Sequence, residues 1–230
     1  TLPMLALPTV FLGALNLVLV PRLARASALG REKEVQRLSG RAMGAVAVLT
    51  LPAMSLMAVL GPDLGRLLFA QDQVGEHLLP LAATMALSCF CSVLGGILNG
   101  IGCQRQVAAV SLLGGGIQLA FTMALVPLPG VGMTGYVAGT LASALLEGGL
   151  CLWLAVRHGA LRLQLFQWLT APGLASLLSA LTANLLLTYL KDTGTPPLPA
   201  SLICLAFALA LYLAALSAQG VTIAPIAEIV

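Results

Sequence analysis

Charge is the scarcest property of this 230-residue chain: Asp, Glu, Lys and Arg together make up 8% of it, and only two residues are histidine. A water-soluble domain ordinarily carries about a quarter of its residues as charges, so a soluble globule is excluded. Aromatic residues are also few, at 5%. The five cysteines, Cys89, Cys91, Cys103, Cys151 and Cys204, show no CxxC spacing and no partner histidines, which argues against a zinc ribbon or a disulfide scaffold. They read as small, buried, reduced side chains. There is no HExxH, no P-loop and no Asp-rich metal motif, so no enzyme activity and no cofactor are expected.

Apolar residues are abundant instead, at 59% of the chain, with a mean hydropathy of +1.01. Lipid is the solvent such a composition requires. A spanning helix takes about 20 mostly apolar residues, so the length leaves room for at most about ten spans. Seven apolar segments stand out, at 2–20, 42–60, 79–100, 107–126, 131–156, 169–190 and 199–217. None alternates polar and apolar residues as a barrel strand does, and lipid-exposed backbone must satisfy its own hydrogen bonds. The expected fold is therefore all-α, a polytopic transmembrane bundle of about seven helices.

Basic residues orient the bundle. If successive loops alternate sides, Arg22, Arg25, Arg31, Lys33, Arg37, Arg41, Arg105, Arg157 and Arg162 share one side, and Arg66 and Lys191 share the other. The positive-inside rule makes the nine-residue side cytoplasmic and places the C-terminus there too. His77 and His158 then fall on opposite faces and cannot share a metal. The formal charge of +3 is explained by topology, and no nucleic-acid partner is expected. Residues 21–41 read either as a solvated topogenic loop or as a short amphipathic helix at headgroup level. Residues 61–78, half polar, are expected to lie on the outer surface.

Small residues point to close helix packing, because apolar side chains gain little by exchanging lipid for protein. Gly95, Gly96, Gly100 and Gly102, then Gly114 to Gly116, then Gly132, Gly135 and Gly139, predict close backbone contact among the third, fourth and fifth spans. Pro8, Pro52, Pro80, Pro127, Pro129 and Pro172 lie within or at the ends of spans, where kinks are tolerated.

Polar residues at membrane depth are the candidate site. Glu147 lies ten residues before Arg157, about 15 Å along a helix, which puts it near the midplane. An intramembrane carboxyl group marks an ion, proton or substrate pathway, or else a packed, hydrogen-bonded interface beside Gly148 and Gly149. Asn99, Gln104, Arg105 and Gln106 cluster at one end of the third span, and Gln118 lies mid-way along the fourth. They line a hydrophilic cavity, or Asn99 and Gln118 serve as interhelical hydrogen-bond glue worth about 0.6 kcal/mol each. The candidate transport residues are Glu147, Asn99, Gln104, Arg105 and Gln118.

Two stretches carry a family resemblance. Residues 7–38, LPTVFLGALNLVLVPRLARASALGREKEVQRL, join a span ending in proline to a small-residue and basic segment. Residues 93–140, VLGGILNGIGCQRQVAAVSLLGGGIQLAFTMALVPLPGVGMTGYVAGT, are the more specific, with Asn99, Gly100 and Gly102 followed by Val126, Pro127, Gly130, Gly132 and Gly135. Together they resemble the multidrug/oligosaccharidyl-lipid/polysaccharide exporter superfamily, and within it the stage V sporulation protein B-like, polysaccharide-exporter branch. The spans at 169–190 and 199–217 follow where that family places its last pair.

The resemblance implies helices eight to fourteen of a two-lobed, fourteen-helix protein. Residues 1–156 would be C-lobe helices with the cytoplasmic loop 21–41, and residues 157–230 the last two helices with a cytoplasmic tail. The implied activity is that of a plasma-membrane flippase or exporter that moves lipid-linked oligosaccharides, or peptidoglycan or polysaccharide precursors, by rocking two lobes around a polar cavity. Its partners would be the lipid-linked glycan, membrane lipids and the missing N-terminal lobe. The cationic cavity residues of the family's first lobe have no counterpart in this sequence. Two other readings remain open: a cation-coupled multidrug exporter in which Glu147 takes Na⁺ or H⁺, and a non-transporting scaffold whose 21–41 loop recruits an enzyme of envelope or spore-wall synthesis.

Overall fold

The structure, a computed structural model, describes residues 2–69, 73–127, 132–161, 165–192 and 197–218. Within them lie seven α-helices and no strand: α1 (Leu2–Ala28), α2 (Glu32–Phe69), α3 (Gln73–Gly100), α4 (Gln104–Leu125), α5 (Gly132–Arg157), α6 (Leu165–Asp192) and α7 (Pro197–Ala218). Five of these contain stretches long and apolar enough to cross a membrane: Glu32–Met57, Pro80–Gly100, Gln104–Leu125, Thr134–Arg157 and Pro172–Leu190. The fold is a helical membrane bundle, as the seven apolar runs predict.

Of the two readings of 21–41, the loop does not form and helix fills most of the segment. Ala24, Arg25, Ala26, Ser27 and Ala28 are compatible with helix, so α1 continues to Ala28, and α2 starts at Glu32 after a short turn. Glu32 and Glu34 occupy the first turn of α2, where acidic groups complement the helix dipole. Residues 61–69 likewise continue α2, and α3 begins at Gln73; the apolar spans of these two helices are Glu32–Met57 and Pro80–Gly100, and 61–78 falls between them. Residues 70–72 and the C-terminal tail lie outside the described residues.

One end of the bundle is tied off three times in the same way. At Gly30, Gly102 and Gly159 the backbone turns into positive φ (65°, 88° and 68°), which glycine adopts without a Cβ penalty. Each turn carries the paired bonds of a Schellman cap, such as Arg31 N–H to Ala26 O at 3.0 Å and Gly30 N–H to Ser27 O at 3.0 Å. Side chains then link the turns to one another: Gln36 Nε2 donates to Gly159 O at 2.9 Å, and His158 Nε2 meets Gln106 Oε1 at 3.0 Å. Helices α1, α3 and α5 thus end together, gathering Arg22, Arg25, Arg31, Lys33, Arg37, Arg105 and Arg157 at one pole.

The main core is shared by α1, α2, α3 and α5. Leu12, Leu19, Leu23 and Ala26 form a stripe at three-, four- and seven-residue spacing on α1, and pack against Met43 and Val46 of α2 and Val93 and Ile97 of α3. Helices α6 and α7 join the bundle through α2, with Leu56 beside Ala183, Leu187, Cys204 and Ala208. Tyr212 Oη donates to Val48 O at 2.8 Å across that seam. Tyr212→Phe keeps the ring and loses the bond, so it should cost about 0.5–1.5 kcal/mol, seen as a lower melting temperature in detergent. An unchanged melting temperature would mean that the bond contributes nothing net.

The seams depend on missing side chains. A Cβ on Gly135 would meet Leu125 Cβ at 2.6 Å, and one on Gly139 would meet Phe121 Cβ at 2.7 Å, so α4 and α5 approach almost backbone to backbone. A Cβ on Gly148 would meet Cys91 Sγ at 3.0 Å, where α5 touches α3. Gly95 faces Val107 of α4 as expected, but two other glycines of α3 do not face that helix. Gly100 lies against Leu23 of α1, and Gly96 against Asn16 of α1, so they join α3 to α1 and not to α4.

Candidate functional site: a polar cleft on the third helix

Because α1 packs on one side of α3 and the α4–α5 pair on the other, the face of α3 between them stays open. Along that face Ser88, Cys91, Ser92, Gly95, Gly96 and Asn99 recur at three- and four-residue spacing. Asn16 and Val20 of α1 form one wall; Val107 and Ser111 of α4, with Ala144, Glu147 and Cys151 of α5, form the other. The cleft encloses about 460 Å³, within the roughly 300–1,000 Å³ range of small-molecule sites. From Asn99 near the basic pole to Ser88 it runs eleven residues, about 16 Å, into the membrane span.

Its polar groups are only partly satisfied by the protein. Ser111 Oγ donates to Glu147 Oε1 at 2.7 Å, joining α4 to α5 across the cleft wall. One turn away, Ser143 Oγ donates to Gly114 O at 2.8 Å, and Gly114 leaves room for the glutamate: a Cβ there would meet Glu147 Oε2 at 3.4 Å. On the far wall Asn16 Nδ2 donates to Ser92 Oγ at 3.2 Å, while Asn16 Oδ1 is buried without a hydrogen-bond partner. A buried, unpaired amide oxygen costs about 1–3 kcal/mol, and among the described residues only Ser39 Oγ is in the same state.

Glu147 is the sole acidic lining group, and no basic side chain lines the cleft among the described residues. Two of the five expected site residues, Glu147 and Asn99, therefore meet here. Gln104 and Arg105 do not: the Gly102 turn leads into α4, and both lie exposed on its first turn at the basic pole. Gln118 is half-buried seven residues beyond Ser111, about 10 Å further along α4, and does not line the cleft. Sequence reading missed Asn16, Ser88, Ser92 and Ser111. Their signal was weak, a lone asparagine and ordinary serines in apolar runs, although the 88–92–95–99 spacing on one face was present.

No group of three or more His, Cys, Asp or Glu side chains suited to a metal ion occurs among the described residues. All five cysteines are free thiols. Cys103, in the turn before α4, has its thiol pushed above the ordinary value by burial, which disfavours a reactive thiolate. Fold and cleft together define a polytopic membrane protein with a polar recess in its apolar interior. No protein-family model matches the chain, and no curated protein matches it.

Proposed function

We propose that the chain is one lobe of a transporter in the plasma membrane, a flippase or exporter that moves lipid-linked oligosaccharides or related envelope precursors by alternating access. The basic pole and the C-terminus face the cytoplasm in this reading. The observation that carries it is the cleft itself, a row of hydroxyl, amide and carboxyl groups sunk about 16 Å into an apolar bundle. Moving a charged or sugar headgroup through hydrocarbon costs several kcal/mol at least, and a protein-walled polar recess lowers that cost. The cleft is walled on three sides, which fits a half-cavity completed by a second lobe. Its lack of basic residues agrees with the resemblance, in which the cations that hold pyrophosphate belong to the other lobe.

A cation-coupled exporter is the second reading, favoured by the one charged group in the cleft being acidic. The test common to both is to fill the cleft. Gly95 lines the cleft, and a Cβ there would make ordinary contact with Val107 Cγ1 at 3.7 Å, so Gly95→Trp is the substitution chosen to fill the recess. In proteoliposomes holding the full-length protein and a fluorescent lipid-linked disaccharide, this variant should slow transbilayer movement by about tenfold or more, equivalent to about 1.4 kcal/mol on the barrier. Wild-type rates in a variant of unchanged melting temperature would remove the cleft from the transport path.

A further inference from the structure

Beside the α1–α2 turn lies a second recess of about 400 Å³, lined by Arg22, Arg25, Arg31 and Glu34 around Ala26, Leu29 and Leu38. We infer that it binds the phosphate headgroup of an anionic membrane phospholipid. This inference rests on the membrane fold and not on the transport reading.

The depth is right for such a ligand. The apolar run of α1 ends at Val20, and the helix continues unbroken to Ala28. Arg22 and Arg25 thus stand about 3–8 Å past the hydrocarbon edge, within the roughly 5–8 Å headgroup layer on each side of a bilayer. The recess is also held in shape. Arg31 N–H bonds to Ala26 O at 3.0 Å and Leu29 N–H to Arg25 O at 3.1 Å, so the turn sets Arg31 near the arginines of α1. Glu34 Oε2 holds Arg31 Nη1 at 3.3 Å, which orients the guanidinium.

Three arginines and one glutamate line the recess, so basic side chains outnumber acidic ones in its wall. Guanidinium groups match phosphate oxygens with paired N–H donors, a geometry that a lysine ammonium lacks. The apolar part of the lining matters as well. The half-buried Leu38, on α2 as it runs back toward the apolar span, suits the upper acyl and glycerol region of a lipid and gains nothing from a free anion.

The experiment measures binding of an acyl-labelled phosphatidylglycerol, and of the matching phosphatidylcholine, to the full chain in dodecyl maltoside micelles. Phosphatidylglycerol should bind about tenfold more tightly, with the difference shrinking at high salt. Arg25→Gln and Arg31→Gln should each lose about fivefold, whereas Arg37→Gln, the same charge change on α2 outside the recess, should lose less than about twofold. Arg25→Lys, which keeps charge and helix, should fall between wild type and Arg25→Gln, and guards against loss through misfolding. The inference fails if the two lipids bind equally, if Arg37→Gln costs as much as Arg25→Gln, or if millimolar inorganic phosphate displaces the label as well as unlabelled phosphatidylglycerol does.

Discussion

Replacing Glu147 with leucine is expected to stabilise the bundle and, under the proposed transport function, to abolish movement of the substrate at once. A carboxyl group near the bilayer centre is expensive, with acidic residues scoring about 2.5–3.5 kcal/mol against membrane insertion. Here Ser111 Oγ, donating at 2.7 Å, offsets part of that cost. Leucine removes it, and the freed serine hydroxyl can bond to a carbonyl of its own helix. A gain of about 0.5–2 kcal/mol is the expected balance, seen as a raised melting temperature, together with a loss of movement beyond about tenfold. Such opposite changes are the mark of a group kept for function against stability. If Glu147→Leu lowers the melting temperature and transport survives in proportion to folded protein, the carboxyl is part of a structural interface.

Glu147→Gln separates the two transport readings, because it preserves side-chain volume and can still accept from Ser111 while removing the ionisable oxygen pair. A cation-coupled exporter should lose its dependence on a Na⁺ or H⁺ gradient in this variant. A glycolipid flippase that uses the group only as a polar contact should keep most of its rate.

The second large effect is expected at the α4–α5 seam, from Gly135→Ala combined with Gly139→Ala. Each new methyl would collide with a Cβ of α4, at 2.6 Å for Leu125 and 2.7 Å for Phe121, and neither neighbour is the far end of a flexible side chain. Overpacking of this kind costs about 1–3 kcal/mol per site. Because α4 is anchored chiefly by α5, with a smaller contact on α3, the pair should loosen the whole helix. A loss of about 3 kcal/mol or more is expected, measured by thermal unfolding in detergent. The comparison lies on α4 itself: Gly115 and Gly116 face nothing within 4 Å, so alanine at either should be neutral or stabilising by up to about 1 kcal/mol. Equal losses at all four positions would mean that glycine acts through helix flexibility and not through close approach.

Much of this fold is legible in the sequence because membrane insertion sums hydrophobicity over about 20 residues, and no distant contact is needed to read it. The spans around Glu147 and Asn99 were found this way. For 21–41 the polarity left loop and amphipathic helix both open, and the structure shows helix on either side of a short turn. Arg22 and Arg25 extend the helix past the apolar run, and charge beyond the hydrocarbon edge is no obstacle to helix. Gln104 and Arg105 were grouped with Asn99 by proximity along the chain, and the Gly102 turn separates them in space. Asn16 and Ser111 were passed over for the converse reason, since nothing in their own helices distinguishes them from hydrogen-bond glue.

The sequence by itself determined the apolar solvent, the all-helical class, the seven helical segments and the gathering of basic residues toward one side, all properties of single segments. Tertiary structure alone decided that Asn16, Ser92, Ser111 and Glu147 share one recess, because that depends on how each helix is rotated about its axis. Glycine contacts set those rotations: Gly100 against Leu23 for α1, Gly148 against Cys91 for α5, and Gly135 and Gly139 against α4. A rotation of one residue step, about 100°, would turn Glu147 away from Ser111 while leaving every span as apolar as before.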